Sequence, residues 1–536
     1  MKKMLLAVLL LGTGVAANTF AQSRDFTMGK WIEIQSAILK ELGRSYVDSL
    51  PVDRMEKVGV DAMLSNLDPY TVYVPEEEGD NFQMMISNTY GGVGAIIYKP
   101  ELDGGVLINE VYENSPAHKG GLEPGDVILT IDGESVAGLK VSECSSRMKG
   151  TAGTEVHFLV EKVRGGGRKE LTVTREKIHL PDIQYAGMLD AKTAYIALSG
   201  FTSGLADQLR SKLPALRRQG MKELVLDLRG NGGGLLQEAV EIVGLFVPRG
   251  SLVVTSKGRS KDEDRVYKTQ ESPFDVNLPL IVLVDSQSAS ASEIVAGALQ
   301  DMDRATVMGQ RTFGKGLVQS IHPLPYGGQL KITTAKYYIP SGRCVQIKDY
   351  AHRREDGSVG NIPDSLTSVF RTVSGREVRD GGGITPDVLL KRREYSRIVY
   401  ALAGWQVIEH YALEYVKTHA SIPATDKFHF EDYEDFVSFA AKQEFDYRSS
   451  AKTYFDRMRD SLKKEGPDPE TLALLEALEK KVNVSKEDAL RRAREELIPF
   501  IEEAIVVRYR FQKAGMEIRL RYDDELREAL KSPRIN

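Results

Sequence analysis

Cysteine is nearly missing from this chain: Cys144 and Cys344 are the only two among 536 residues. Two thiols that far apart exclude a disulfide framework and offer no metal-ligand spacing, so they are read as unpaired structural thiols. The eight histidines form no His-Glu-x-x-His or similar cluster, which disfavours a metal mechanism; no metal and no cofactor is expected. An excess of charge of one sign is lacking too. With 71 basic against 76 acidic residues the net charge is -5, too small a field to argue for nucleic acid or an anionic membrane as partner. No apolar run reaches the length that spans a bilayer. What is present is 42% hydrophobic beside 27% charged residues, enough to bury real cores, on a length that calls for three or four units.

The first residues stand apart. Lys2 and Lys3 precede an apolar run from Met4 to Leu11, and Thr19-Phe20-Ala21 supplies a small-x-small cleavage signal. This is the pattern of a signal peptide over 1–21, cut after Ala21. The mature protein is therefore expected to be exported to a bacterial periplasm, without stable membrane insertion. From 22 to 72 the chain reads as helical: Trp31, Ile34, Ile38 and Leu42 recur at helical spacing, and Pro51 opens a second stretch that Asp68-Pro69-Tyr70 ends. These helices suit packing on the body or on a second copy of the chain. Over 81–176 short β-runs alternate with glycine, with Asp132-Gly133 as a hairpin turn. Over 177–393 strands such as Leu280–Val284 alternate with helices such as Ala291–Gln300, which implies an α/β layer of buried, mostly parallel strands. After Arg393 glycine almost vanishes, and 394–536 reads as a charged helical extension. Pro469 fits the first turn of one of its helices, and Ser485 with Asp488 fits the start of another.

Three segments carry candidate chemistry. Asp227-Leu-Arg-Gly-Asn-Gly-Gly-Gly-Leu235 runs from a buried strand through glycines into a helix. It lacks the third glycine of a dinucleotide fingerprint. It suits an oxyanion hole, since glycines let a peptide carbonyl approach backbone N–H groups, or simply a tight strand-to-helix turn. Gly309-Gln-Arg-Thr-Phe-Gly314-Lys315-Gly316 nearly spells a phosphate-binding loop. Gly316 replaces the Ser/Thr that would hold magnesium, and a strand follows where a helix is needed. In Ser288-Ala-Ser290-Ala-Ser-Glu-Ile294, a serine at a strand-to-helix junction presents its hydroxyl near a helix N-terminus, where the dipole helps stabilise an oxyanion. Its base need not be histidine. A desolvated lysine serves when burial keeps it neutral, and Lys315, between glycines with no acid close in sequence, is a candidate.

The run Tyr90-Gly91-Gly92-Val93-Gly94 with Gly121-Leu-Glu-Pro-Gly125-Asp-Val-Ile128 resembles a PDZ domain. The resemblance implies that the loop of Gly91, Gly92, Val93 and Gly94 binds the terminal carboxylate of a peptide chain and that a neighbouring pocket takes its last side chain. Taken in order, Leu67-Asp-Pro-Tyr-Thr71, the PDZ runs, the glycine segment, the serine segment, Thr312-Phe-Gly-Lys-Gly316, Leu330–Gln346 and Gly383-Ile-Thr-Pro-Asp387 resemble the C-terminal processing peptidases, also called tail-specific proteases. That resemblance implies a ClpP/crotonase-like α/β core with the PDZ domain inserted, N-terminal helices and an α-helical extension. It implies Ser290 as nucleophile, Lys315 as general base and Gln319 orienting the lysine amine. It further implies the N–H groups of Ala291 and Gly233 as the oxyanion hole, and Asp301 as a supporting acid that is structural first. The expected function is a periplasmic serine endopeptidase with a Ser/Lys dyad that takes protein substrates by their C-termini. The terminal helices are left for a homo-oligomer or an adaptor, and 348–378 stands as a charged insert. Two other classes fit less of the chain. A catalytically silent PDZ scaffold would be free to lose any of Ser290, Lys315 and Gln319, and a crotonase-like thioester transferase would need neither the PDZ run nor the export signal.

Overall fold

The computed structural model describes residues 25–534; the expected signal peptide lies outside them. The chain divides into two compact units, Met1–Tyr73 and Val74–Asn536. In the first, helix α1 runs over 25–45 and α2 over Val52–Ser65, as the apolar spacing predicts. Leu64 is buried, whereas Phe26, Trp31 and Ile32 are exposed. Asp68 closes the helical stretch by accepting the N–H groups of Tyr70 (2.8 Å) and Thr71 (2.9 Å) on one carboxylate oxygen, a turn that aspartate favours.

In the second unit, helix α3 (Gly79–Ser87) occupies a stretch where β-structure was expected from residue 81. The acids Glu76, Glu77 and Glu78 ahead of it complement a helix N-terminus, and Phe82 anchors it in the interior. There follow β1 (Thr89–Gly92), β2 (Ala95–Tyr98), β3 (Val106–Val111), β4 (Val127–Ile131), α4 (Val141–Met148), β5 (Glu155–Glu161), β6 (Arg168–Thr174) and β7 (Glu176–His179). Strands β2 to β6 make one antiparallel sheet in sequence order. Asp132 and Gly133 both take positive φ (50° and 81°), as a two-residue hairpin requires. Strands β1 and β7 pair antiparallel from Thr89↔His179 to Gly92↔Glu176. The ingoing and outgoing chains thus zip into a neck, from which this module hangs as an insertion.

The core continues with β8 (Ile183–Met188), β9 (Thr193–Leu198), α5 (Leu205–Arg218), β10 (Glu223–Asp227), α6 (Leu236–Gly244), β11 (Leu252–Gly258), β12 (Arg265–Lys268), β13 (Leu280–Val284), α7 (Ala291–Asp301), β14 (Thr306–Gly309), β15 (Leu317–Pro323) and β16 (Gln329–Tyr338). Two hairpins occupy the charged insert: β17 (Lys348–Arg353) with β18 (Val359–Asn361), and β19 (Val369–Arg371) with β20 (Glu377–Arg379). Strand β21 (Val388–Leu389) completes a sheet of order β8-β9-β10-β13-β14-β21. It is parallel from β9 onward, with β8 antiparallel at the edge. Beside it, β16 pairs with β15 and β11, and β11 with β12.

The central strands are buried on both faces, which is why they read as unbroken apolar runs. Ile196, Leu226 and Val282 meet α5, α6 and α7. Tyr195, Val225, Ile281 and Met308 point the other way, and their cover is Met516, Leu526 and Ala529 from the end of the chain. That extension consists of α8 (Arg397–Gly404), α9 (Val407–Thr418), α10 (Tyr433–Ala441), α11 (Ser450–Glu465), α12 (Pro469–Val482), α13 (Lys486–Arg492), α14 (Arg494–Arg521) and α15 (Asp524–Lys531). Pro469 does open α12, and Ser485 caps α13 by accepting the Asp488 N–H at 3.0 Å. Helix α14 leaves helical geometry at Arg510 and Phe511. There the Phe511 ring packs 4.9 Å from His118, while Arg508 donates to Asn109 of β3. Among the described residues no helix is long and apolar enough to cross a membrane.

Candidate active site

Strand β13 delivers the chain to the C-terminal edge of the parallel sheet, and its junction with α7 carries the alternating serines Ser288, Ser290 and Ser292. Ser290 sits at φ 57°, ψ −114°, a conformation that costs an L-residue on the order of 1–3 kcal/mol and is kept only where the surroundings impose it. Such a strained strand-to-helix turn pushes the side chain out of the backbone path. The flanking serines are occupied otherwise. Ser288 Oγ donates to the Leu228 carbonyl at 2.7 Å and Ser292 Oγ to the Asn231 carbonyl at 2.9 Å, and both residues are fully buried. They staple the turn to the glycine loop and leave Ser290 as the one of these three with partial exposure.

The glycine loop is seated against that turn. A Cβ on Gly233 (φ 96°) would lie 2.6 Å from the Ala289 carbonyl oxygen, 2.8 Å from Ser290 Cβ and 2.9 Å from the Ala291 nitrogen; only glycine fits. Gly233, Ser290 and Ala291 are therefore brought together. In this conformation the Gly233 N–H donates to Asn231 Oδ1 at 2.8 Å, so its use as an oxyanion donor requires that bond to open.

The Lys315 backbone is held to the same turn through Glu293. One carboxylate oxygen of Glu293 accepts the N–H groups of Ser290 (2.9 Å) and Lys315 (2.8 Å). The other accepts the Thr312 hydroxyl (2.6 Å) and the Gly314 N–H (2.8 Å). A single fully buried carboxylate thus ties the Ser290 turn to the Lys315 loop. Burial pushes the Glu293 carboxyl above its ordinary range, and the four donors oppose that rise. Tyr337, also buried, donates its hydroxyl to the Ser290 carbonyl at 3.2 Å. Neither Glu293 nor Tyr337 was assigned a role from sequence. For Glu293 a signal existed: Ser290-Ala-Ser-Glu293 has the spacing of a capping box.

The remaining expected residues divide. Gln319 on β15 donates its amide to Thr333 Oγ1 at 3.1 Å across the β15–β16 pair. Asp301 sits at the opposite end of α7 from Ser290, an 11-residue helix and so about 16 Å away. There it pairs with Arg343 at 2.8 Å, both side chains 1% exposed, and accepts the Ser341 N–H at 2.9 Å. It pins the turn before Arg343. Gly91 and Gly92 belong to the β1–β7 neck, where a Cβ on Gly91 would lie 2.1 Å from the Gly150 carbonyl oxygen. Val93 is buried and Gly94 takes φ 77°. The turn into the edge strand β2 is thus left to Val93 and Gly94. Among the described residues no group of His, Cys, Asp and Glu side chains is arranged to hold a metal ion, and both thiols are free.

Residues 192–351 match the sequence profile described as "Peptidase family S41", 107–162 that of a PDZ domain, and 398–532 that of "Probable PDZ-protease, C-terminal helical domain". A "Probable CtpA-like serine protease" of Staphylococcus aureus strain N315 is 32% identical over 313 residues, 58% of this chain and 62% of the relative. The chain thus spans rather less than two thirds of that relative's length. A protein of the same description from Staphylococcus epidermidis is 30% identical over 340 residues, covering 62% of this chain and 67% of the relative. A solved "photosystem II D1 C-terminal processing protease" is 26% identical, with 67% of this chain and 86% of that one aligned at a TM-score of 0.37.

Proposed function

This chain belongs to peptidase family S41, as an α/β protein with a PDZ domain and a C-terminal helical domain, and from that premise we propose that it is a serine endopeptidase working through a Ser290/Lys315 dyad. The observation that carries the reading is the Glu293 carboxylate shared by the Ser290 and Lys315 amides, with Ser290 held at positive φ. In this reading the Lys315 amine takes the Ser290 hydroxyl proton as the oxygen attacks a peptide carbonyl. The C–N bond then breaks, the departing amine leaves with that proton, and the acyl group stays on Ser290. Water next loses a proton to the same amine and cleaves the ester, restoring the hydroxyl. Ala291 N–H at the start of α7 and a released Gly233 N–H stabilise the oxyanion. Gln319 supports the lysine from β15.

The PDZ segment, 81–176, presents substrates to the core, 177–393, by pairing a substrate C-terminus with the edge of β2. The substrates are unfolded exported proteins, met in a periplasm after removal of residues 1–21. The exposed apolar residues of α1 suit a second copy of the chain or an adaptor.

The test incubates mature protein with unfolded substrates ending in apolar or charged residues, with chelator present. Wild type is expected to cleave, and Ser290→Ala and Lys315→Ala to lose about a thousandfold or more while circular dichroism stays unchanged. Normal cleavage by either variant overturns the dyad.

A further inference from the structure

The loop that abuts Ser290 is gripped from behind by the last helix of the chain. Arg229 opens that loop, two residues before Asn231, whose carbonyl accepts the Ala289 N–H (3.0 Å) and the Ser292 hydroxyl (2.9 Å) of the nucleophile turn. The Arg229 guanidinium is largely buried, its side chain 18% exposed. It is divided between two parts of the molecule. Toward the core, Nε donates to both oxygens of Asp227 at 3.0 Å, and Tyr195 braces Asp227 with its hydroxyl at 2.6 Å. Toward the helical domain, Nη2 donates to Asp523 at 2.6 Å and Nη1 to Glu525 at 3.1 Å. Glu525 also accepts from Gln310, at the end of β14, at 3.2 Å. Asp523 caps α15 through the Leu526 N–H at 2.8 Å. One helix start therefore holds the C-terminal ends of two parallel strands, β10 and β14, on either side of the nucleophile strand.

We infer that Asp523 and Glu525 are positioning residues for acyl transfer: through Arg229 they fix the glycine loop against Ser290, so the C-terminal helical domain sets the oxyanion geometry as well as covering the sheet. Without them the guanidinium keeps Asp227 and loses its other acceptors. A buried fork left half satisfied shifts or draws in water, and the loop it begins shifts with it. This rests on the proposed dyad, and the experiment separates the two.

The test uses the full chain carrying Asp523→Asn, Glu525→Gln, both together, and Asp523→Glu. Asparagine caps a helix as well as aspartate does, so Asp523→Asn removes charge while leaving α15 capped. Arg534→Ala, which removes the α15-side contact to Glu223 (2.7 Å), controls for general loosening of the helix. In a steady-state peptide assay the double variant is expected to lose about tenfold or more in kcat, as a small misplacement near the reacting atoms does, with KM within about twofold. Asp523→Glu restores most of it and Arg534→Ala leaves kcat unchanged. Wild-type kcat in a folded double variant overturns the inference, and so does an equal loss in Arg534→Ala. Cleavage by Ser290→Ala would instead sink the dyad and leave this inference without its premise. If the double variant fails to fold, the Glu525→Gln single variant, which keeps the cap residue, decides on the same kcat criterion.

Discussion

Replacing Glu293 with glutamine separates positioning from mere packing at the site. The wild-type carboxylate accepts four hydrogen bonds, two on each oxygen, three of them from backbone N–H groups. A glutamine keeps the shape and turns one oxygen into a donor. Its NH2 finds an acceptor only in the Thr312 hydroxyl, already bonded by the Ile384 N–H at 2.6 Å, so the Gly314 N–H is left facing another donor. A lost hydrogen bond to a charged group is worth about 1.5–3 kcal/mol and an orphaned buried donor about 1–3 kcal/mol. Removing a buried charge returns part of this. The expected net destabilisation is about 2–4 kcal/mol, read as a shift in the urea midpoint at constant slope. Activity should fall further than stability, by about a hundredfold in kcat, because the common acceptor of the Ser290 and Lys315 amides loses its charge and the Gly314 N–H next to Lys315 loses its acceptor. The pH dependence supplies a second readout. Burial raises the folded Glu293 carboxyl above 4.5, so its contribution to stability is full below 4.5 and lost as pH rises through the folded value. The glutamine variant should lack that slope. A folded Glu293→Gln protein with wild-type kcat refutes the reasoning.

Gly233→Ala puts a methyl into the Ala289 carbonyl at 2.6 Å and strains a positive φ; it should abolish turnover while costing only about 1–3 kcal/mol of stability, checked by kinetics beside thermal unfolding. Asp301→Asn leaves the Arg343 guanidinium buried without its counter-charge, with an expected loss of about 3–5 kcal/mol. Activity should follow the folded fraction measured by circular dichroism, and a folded but inactive protein would give Asp301 a part in the chemistry. The His410 ring lies 4.4 Å from that of Tyr98 on β2, tilted by 57°, its Nε2 buried without a partner. Burial lowers its pKa below 6.5 against the pull of Glu409 and Glu414, so the unfolded chain takes up the proton first. Stability should therefore fall as pH drops below 6.5, and His410→Leu should flatten that part of the Tm–pH curve.

The strand bounds were legible because their signals are local. Leu280–Val284 and Val127–Ile131 are apolar runs bounded by turn residues, and both strands have those bounds. The expected β-structure from residue 81 gave way to α3, because three acids ahead of it and an inward Phe82 outweigh proximity to a β-rich region. The serine repeat was ambiguous for a physical reason: three identical hydroxyls look alike until their acceptors are known. The carbonyls of Leu228 and Asn231, some sixty residues away in the chain, take two of them.

Amino-acid order alone determined most of the elements, the inserted module and the nature of each candidate side chain, since hydrophobic period, glycine placement and capping residues act over a few positions. Tertiary structure decided what faces what. It used Glu293, unassigned in one dimension, to join two loops, and it placed Asp301 with Arg343 at the far end of its helix. It also turned the unplaced helical extension into the second cover of the sheet and a grip on Arg229. Those outcomes depend on burial and on partners up to about three hundred residues away, and no local pattern encodes a partner at that distance.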